Sequence, residues 1–526
     1  MRILIFHGYL LGGTGSNVYN ARLAAALVSQ GHEVHLLCQD RHPERQAFVA
    51  AFGDWEEGAL RVHAVREHGD ERCGACTVYR PDIGGLLPVY VADRYEGVQA
   101  RTFAECSDEE IARYIDANVR AVAELVERVA PDVALANHLV MGPAILARAL
   151  AGRVPYAVKV HGSALEYTVK PNPDRFLAFA REGLAGAGGV LVGSHHTAAS
   201  LWRTLDDESV RRRTRLGPPG VDVERFAPRA PAEAAAGLAG LASRLLAGDD
   251  GKQSLGADTF ARDERAAGEA LARLDPTRDR LVAFVGKLIV SKGVDLLLAA
   301  WPLVLGHVPT ARLVVVGFGA YRDGLQDLRA ALAAGDVERA KTLARAGRSL
   351  EDDSAQARPL AHLLAFFESL DGDALAGYLG AARSLEDRIV LTGRLEHEEL
   401  ADLLPACESM VVPSTFPEAF GMVAAEAAAC GVLPVSAAHS GLAEVSQALA
   451  QAVPEKFVDL LSFAVDDGAV RALAACVVGW LQATPEDRAA ARAGLVETVR
   501  ERWSWEGVAR GVIAAARGEL DDLQMP

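Results

Sequence analysis

The sequence predicts an α/β protein built from two doubly wound parallel sheets, and three observations carry that expectation. Short apolar runs alternate with amphipathic helical stretches, and they do so twice along the chain. The first run, "RILIF", passes through the glycine-rich "LLGGTGSNVYNA" into a helical stretch, the order in which a doubly wound domain opens. The 526 residues are 50% hydrophobic and 24% charged, enough to bury more than one core.

Taken in order, the strands of the first half are "RILIF" (2–6), "EVHLLC" (33–38), "VALAN" (133–137), "YAVKVHG" (156–162) and "GVLVGS" (189–194). Those of the second half are "LVAFVG" (281–286), "ARLVVVG" (311–317), "RIVLTG" (388–393), "SMVVPS" (409–414) and "VLPVSA" (432–437). A ligand of such a protein is expected outside the carboxyl ends of the strands, in the crevice between the domains. Residues 229 to about 279 and 323 to about 386 are rich in Ala, Leu and charge without a strand signal, so both read as added helical elements. Within the first of them, "AGDDGKQSLGAD" reads as a flexible loop.

Lys and Arg number 54 against 70 Asp and Glu, a net charge of −16 that repels nucleic acid rather than gathering it. The apolar run before His7 and Gly8 is too short for a signal h-region, and nowhere do about 18 apolar residues run together. A soluble cytoplasmic protein with reduced thiols is the expectation. The seven cysteines are scattered, unlike a disulfide framework. Cys73 and Cys76, with His63 and His68 upstream, could hold zinc, but no second Cys pair follows at zinc-ribbon spacing. Two ordinary thiols and no metal are the favoured reading.

The most informative passage is "VVPSTFPEAFGMVAAEAAACGVLPVSAAHSGLAEV" (411–445): the end of a strand, a loop through Pro417, a helix from about Gly421, a stop at Gly431 and another strand. Glu418 falls in the loop and Glu426 about two turns into the helix, at different depths along one cleft. The peptide groups of Ala419, Phe420, Gly421, Met422 and Val423 form the helix start, whose N–H groups and positive dipole end favour phosphate. A hexose beside Glu418, a pyrophosphate on the helix end and a ribose near Glu426 fit this spacing.

"EAFGMVAAE" resembles the Glu-x7-Glu motif of retaining GT-B glycosyltransferases, in particular glycosyltransferase family 4. "FVGKLIVSKGVDLLLAAW" (284–301) is similar to that family's strand, glycine and paired basic residues, which implies that Gly286, Lys287 and Lys292 receive the donor diphosphate. The family more often has Arg where Lys287 stands, and Lys offers a point charge without a bidentate fork. "VVVGFGAYRDGL" (314–325) resembles the Gly-x-Gly turn of the second domain. "LTGRLEHEELADLLPACE" (391–408) resembles the segment framing the base, with backbone groups near Arg394 and Leu395 at its edge. "GPPGVDVERFAPR" (217–229) and "RERWSWEGVARGVI" (500–513) are similar to the interdomain segment and to the helix that returns to the first domain.

The resemblance implies the GT-B architecture. Residues 1–222 form an N-terminal Rossmann-like domain on the acceptor side, and 223–280 a link with a helical insertion. Residues 281–490 form the nucleotide-sugar domain, with its own insertion, and 491–526 the returning helix. It further implies transfer of a hexosyl group from a nucleoside diphosphate sugar, by default a uridine one, to an acceptor hydroxyl with retention. No cofactor is required. The opening loop agrees: a dinucleotide fingerprint places its glycines almost directly after the strand, whereas "HGYLL" intervenes here, although Asp40 ends the second strand as a ribose-binding acid does. "GTGSNVY" resembles the family's "GGMNVY", placing Gly15 and Asn17 beside the donor, with Gly12 and Gly13 as its flexible approach.

In "VKVHGSALEY", His161 ends a strand just before Gly162, and the family's equivalent His-Gly implies an imidazole near the donor sugar and a catalytic role beside Glu418. His7 and His138 are candidates for the acceptor, whereas His195 and His196 open a helix and cap or solvate it. "DGD" at 371–373 sits in a helical insertion without a preceding strand, unlike a metal-binding Asp-x-Asp. "RRRTR" (211–215) is either a solvated basic face or a contact with an anionic membrane carrying a lipid-linked acceptor. Two alternatives stay open: a phosphorylase of related fold, for which no pyridoxal phosphate site is evident, and a sugar-nucleotide binding protein without turnover.

Overall fold

The computed structural model describes residues 1–56, 58–66, 74–91, 99–248, 262–351 and 358–526. The chain divides into two compact units, Met1–Gly220 with Trp503–Pro526, and Val221–Arg502. In unit 1 the strands are β1 (Arg2–Phe6), β2 (Glu33–Leu37), β3 (Val49–Glu56), β4 (Ala59–Ala64), β5 (Cys76–Arg80), β6 (Leu86–Val89), β7 (Gln99–Thr102), β8 (Val133–Asn137), β9 (Tyr156–Val160), β10 (Gly189–Val192) and β11 (Thr214–Leu216). Nine of them form one sheet in the order β11-β10-β9-β8-β1-β2-β5-β3-β4, while β6 and β7 pair separately. Pairing is parallel except between β3 and β4.

Successive side chains of β1 point to opposite faces. Leu4 and Phe6 pack with Leu125, Ile145 and Phe176 on one face, and Ile3 and Ile5 with Leu23, Leu27 and Val512 on the other. Both faces are covered, which is why "VALAN" and "YAVKV" are buried along their whole length. The helix Trp505–Arg517 supplies part of that cover, and Trp505 meets Tyr19 of the helix Gly15–Ser29 with ring centroids 5.5 Å apart.

Unit 2 carries β12 (Arg280–Val285), β13 (Ala311–Val316), β14 (Ile389–Gly393), β15 (Ser409–Val412), β16 (Leu433–Ala437) and β17 (Ser462–Phe463) in the parallel order β14-β13-β12-β15-β16-β17. The helix Val294–His307 lies beneath them and buries Trp301 completely; the helix Ala469–Gln482, with buried Trp480, packs on it. Helices of the 323–386 segment cover the same helix, and the Tyr378 hydroxyl donates to Ala299 O at 2.9 Å.

Each strand named from the sequence is present, with ends trimmed by a residue or two. The excursion through β3 to β7 was not expected; its strands are mixed in polarity, so no apolar run announces them. The helices Pro231–Leu246 and Glu264–Leu271, expected in a link, pack on one another within unit 2. Arg229 and Arg244 hold Asp402 at 2.7 and 2.5 Å, and Arg262 holds Glu399 at 2.8 Å, so electrostatic clips draw this segment onto the second domain. The helix Pro485–Arg502 likewise stays in unit 2, where Arg492 reaches Glu408 at 2.5 Å; the return to unit 1 begins at Trp503 rather than at 491. Most of the "AGDDGKQSLGAD" loop lies outside the described residues. Among the described residues, no helix is long and apolar enough to cross a membrane.

Candidate functional site

In unit 2 the chain places β13 and β14 on one side of β12, then crosses to lay β15 on the other. The crevice at that reversal of strand order is the expected ligand position of a doubly wound sheet. Two loops meet there. Thr415 N–H donates to Ser291 O at 2.9 Å, and Gly293, at φ 65°, lies so close to the other loop that a Cβ would fall 2.0 Å from Pro413 O. Only glycine permits both that conformation and that approach.

The close approach brings Lys292, after β12, onto Glu418, after β15. The Lys292 ammonium donates to Glu418 Oε1, with the side chains 29% and 25% exposed, and Ser414 Oγ donates to the same oxygen at 2.6 Å. Burial alone would raise the Glu418 carboxyl. The Lys292 charge and the hydrogen bonds from Lys292 and Ser414 overcome it and hold the carboxyl below its ordinary range.

Gly421, at φ 145°, turns the chain into the helix Met422–Ala429. The expected helix start was Ala419 to Val423. In the structure Ala419 and Phe420 precede the helix, so the N–H groups with no carbonyl one turn back begin at Met422 and Val423. Glu426 stands little more than one turn in, not two, because the helix opens after the glycine. It is 2% exposed, and its Oε1 meets His397 Nε2 at 2.7 Å. Gly286 extends the ladder by donating to Val316 O at 3.0 Å, with Lys287 following half-buried. Arg394 pairs with Glu396 at 3.0 Å and lies 5.9 Å from the Phe318 ring centre, while Leu395 is buried.

Unit 1 has its own reversal, between β1 and β8, and the three candidate histidines gather at it. His138 lies 5.8 Å from His7 and 4.9 Å from His161 between ring centres, with Tyr9 and Tyr90 at 5.3 and 4.6 Å. His7 Nε2 faces Leu10 O at 2.9 Å and Asn17 Oδ1 at 3.0 Å, both acceptors, so it carries the proton; Nδ1 accepts from Asn20 Nδ2 at 3.0 Å. Asn137 Nδ2 donates to Phe6 O at 3.3 Å, which leaves its Oδ1 to accept from His161 Nε2 at 2.9 Å. His138, at φ 69°, is 2% exposed and neither ring nitrogen has a hydrogen-bond partner among the described residues. Burial lowers all three imidazoles: His7 to about 4 against its hydrogen bonds to Asn17 and Leu10, and His138 and His161 well below their ordinary value, these two lowered further by neighbouring imidazoles.

Asn17 thus braces His7, and its Nδ2 donates to Gly12 O at 2.6 Å. Gly13 (φ 89°) and Gly15 lie at the turn into the helix Gly15–Ser29. Asp40, the acid a dehydrogenase would use on ribose, accepts from Leu11 N–H at 2.9 Å and from His42 N–H at 2.9 Å, so here it pins the glycine loop. In "RRRTR", Arg213 donates to Leu184 O and Ala187 O and Arg215 to Leu520 O at 2.9 Å, so two of its cations serve backbone carbonyls. His195 opens the helix His195–Leu205 behind the capping Ser194.

Cys76 is buried in β5, where burial raises its thiol; Cys73 and His68 lie outside the described residues. Among the described residues, no group of three or more His, Cys, Asp or Glu is placed to hold a metal. Sequence reasoning did not single out Ser414, His439, Ser440, His397 or Asn137. Ser414 and His439 stand inside quoted motif segments, but only the fold shows that they converge on Glu418.

Residues 14–220 match the family described as "Glycosyl transferase 4-like domain", and residues 377–467 match "Glycosyl transferases group 1". A D-inositol 3-phosphate glycosyltransferase of Segniliparus rotundus is 30% identical over 261 residues, 50% of this chain and 44% of that protein, so the chain spans less than half of this relative's length. Among solved structures, sucrose-phosphate synthase from Thermosynechococcus elongatus superposes with a TM-score of 0.55 at 18% identity, covering 98% of both chains. HepE of Anabaena, in complex with UDP and glucose, gives a TM-score of 0.54 at 15% identity, covering 98% of this chain and 99% of its own. These last two likenesses show two Rossmann-like domains of the GT-B type.

Proposed function

We propose that the chain, whose residues 14–220 and 377–467 match two glycosyltransferase family models, is a GT-B glycosyltransferase that transfers a hexosyl group from a nucleoside diphosphate sugar to an acceptor hydroxyl with retention at the anomeric carbon. The observation that carries this reading is the meeting of Lys292 and Glu418 at the strand reversal of unit 2, beside the N-terminus of the helix Met422–Ala429. A cation, a carboxylate and unpaired N–H groups in one crevice suit a ligand that is anionic at one end and rich in hydroxyls at the other. A uridine donor is the default, supported by the structurally similar HepE of Anabaena, which was solved with UDP.

In this reading the bond between the anomeric carbon and the diphosphate breaks, and its electron pair leaves with the diphosphate. Lys287, Lys292 and the N–H groups of Met422 and Val423 receive that charge, and the chain needs no cofactor for it. Glu418 accepts hydroxyl hydrogens of the sugar and offsets its developing positive charge. His161, held neutral and oriented by Asn137, is assigned the sugar from unit 1. Gly13, Gly15 and Asn17 are assigned to the donor, Glu426 to the ribose, Arg394 and Leu395 to the base edge, and His7 and His138 to the acceptor. The acceptor oxygen bonds to the anomeric carbon on the face the diphosphate leaves, and the resemblance implies that a donor phosphate oxygen takes its proton.

The acceptor is a small molecule, a glycan or a lipid-linked hydroxyl. The proposed location is the cytoplasm, supported by the unpaired, buried thiols of Cys38, Cys76, Cys106, Cys407, Cys430 and Cys476. The test is a screen of donors and hydroxyl acceptors for release of nucleoside diphosphate, with mass spectrometry of nucleotide retained on the purified protein. Release of UDP that depends on acceptor supports the transferase. Tight donor binding without release under any acceptor would assign the chain to sugar-nucleotide binding instead.

A further inference from the structure

A second loop of unit 2 reaches the same carboxylate. Ser440 follows β16 and is the first residue of the helix Ser440–Ala450, yet its φ is 53°, in the left-handed region that a non-glycine residue rarely adopts. Its neighbour His439 presents Nε2 to Ser414 O at 2.8 Å. A carbonyl oxygen only accepts, so Nε2 carries the proton and, in the neutral ring, Nδ1 accepts. Ser440 Oγ lies 3.1 Å from that Nδ1 and donates to it, while the same oxygen accepts the Glu418 N–H at 2.9 Å.

The remaining link is Ser414 Oγ, which donates to Glu418 Oε1 at 2.6 Å. The bonds close into a ring: Glu418 backbone to Ser440, Ser440 to His439, His439 to the Ser414 backbone, and the Ser414 hydroxyl back to the Glu418 carboxylate. Gly441 N–H, donating to Glu418 O at 3.0 Å, fixes the same residue from a further side. We propose that His439 and Ser440 are positioning residues for Glu418, holding both its peptide and its carboxylate in the geometry that the donor sugar meets. The strained backbone at Ser440 is retained because glycine, which would relieve it, has no hydroxyl to complete the ring.

This inference rests on the transferase reading, and it separates fold from function in one residue. Ser440→Gly relieves the left-handed strain and opens the ring, whereas Ser440→Ala opens the ring and keeps the strain. Both are expected to lower kcat by about tenfold to a hundredfold, the cost of a small misplacement, with donor KM within about threefold because the diphosphate is held elsewhere. The Tm of Ser440→Gly is expected to equal or exceed that of the wild type, and that of Ser440→Ala to fall below that of Ser440→Gly. His439→Phe keeps a ring of similar size without its nitrogens and is expected to lower kcat in the same way.

Wild-type kcat in both Ser440 variants would overturn the proposal. So would loss of kcat in Ser440→Gly alone, which would trace the effect to the backbone rather than to the hydroxyl. An active wild type with slow variants supports both readings; a wild type that turns over no donor with any acceptor removes the transferase reading and this one with it.

Discussion

The two units solve the same topological problem with opposite chemistry. Each reverses its strand order beside its first strand, β1/β8 in one and β12/β15 in the other, and each gathers its polar side chains at that reversal. In unit 1 the gathered groups are His7, His138 and His161, packed against tyrosines with no carboxylate paired to them among the described residues, so burial wins and the rings stay neutral. In unit 2 burial also opposes the charge on Glu418, but Lys292 and the Ser414 hydroxyl reverse the outcome. Topology selects the place; the charge of the nearest partner selects which ionisation state a buried group keeps there.

The largest expected effect comes from removing the partner that makes unit 2 different. Lys292→Ala and Glu418→Gln should each lower kcat/KM for donor by about a hundredfold to a thousandfold, read by steady-state nucleotide release. Lys292→Ala should also lower Tm by the equivalent of about 1–2 kcal/mol, discounted for partial exposure, because it leaves a half-buried carboxylate without its cation. Glu418→Gln should cost less in stability, since no charge is left behind. Equal Tm values for the two would mean that the pair contributes nothing beyond its hydrogen bonds.

Acid should break the comparison on the unit 1 side first. The three histidines bind protons less readily in the fold than in the unfolded chain, so their contribution is present above about pH 6.5 and is lost as pH falls through the folded values, about 4 for His7. The loss from His7 alone is on the order of 3 kcal/mol. Glu418, also lowered, begins to lose its contribution only below about pH 4.5. Melting curves between pH 7 and pH 4.5 should therefore fall steeply in the wild type and less steeply in His138→Leu; identical slopes would show that the cluster does not control acid stability.

The smallest effect sharpens the rule inside unit 2. Asp295, at the start of the helix Val294–His307, is buried; among the described residues it pairs with no cation and one carboxylate oxygen has no hydrogen-bond partner, and burial pushes its carboxyl up to about 7. A raised carboxyl contributes most below its unfolded value near 3.8 and progressively less as pH rises through 7. Asp295→Asn should gain about 1 kcal/mol at pH 8, the advantage shrinking towards pH 4, measured as the difference in Tm across that range.

Much of this was legible in the residues because β-branched runs such as "ARLVVVG" and "RILIF" announce buried parallel strands without help from tertiary contacts. The Lys292–Glu418 meeting could be anticipated from the two motifs flanking β12 and β15. What stayed hidden depends on backbone geometry or on distant partners. The ring through Ser440 needs a left-handed serine 22 positions after the carboxylate it serves, and nothing in "AAHSG" advertises that conformation. Asp40 stood at a ribose-binding position, yet its two oxygens were taken by N–H groups of Leu11 and His42. β3 and β4 escaped notice because an antiparallel pair at a sheet edge needs no continuous apolar run.

The helix Trp505–Arg517 closes one face of the unit 1 sheet, although the whole of unit 2 separates it from the rest of that unit. During synthesis the ribosome therefore releases β1 to β11 long before the segment that shields Ile3, Ile5 and Leu191 exists. A nascent chain stalled inside unit 2 presents that bare surface to chaperones, and unit 1 matures only when translation has passed Arg502.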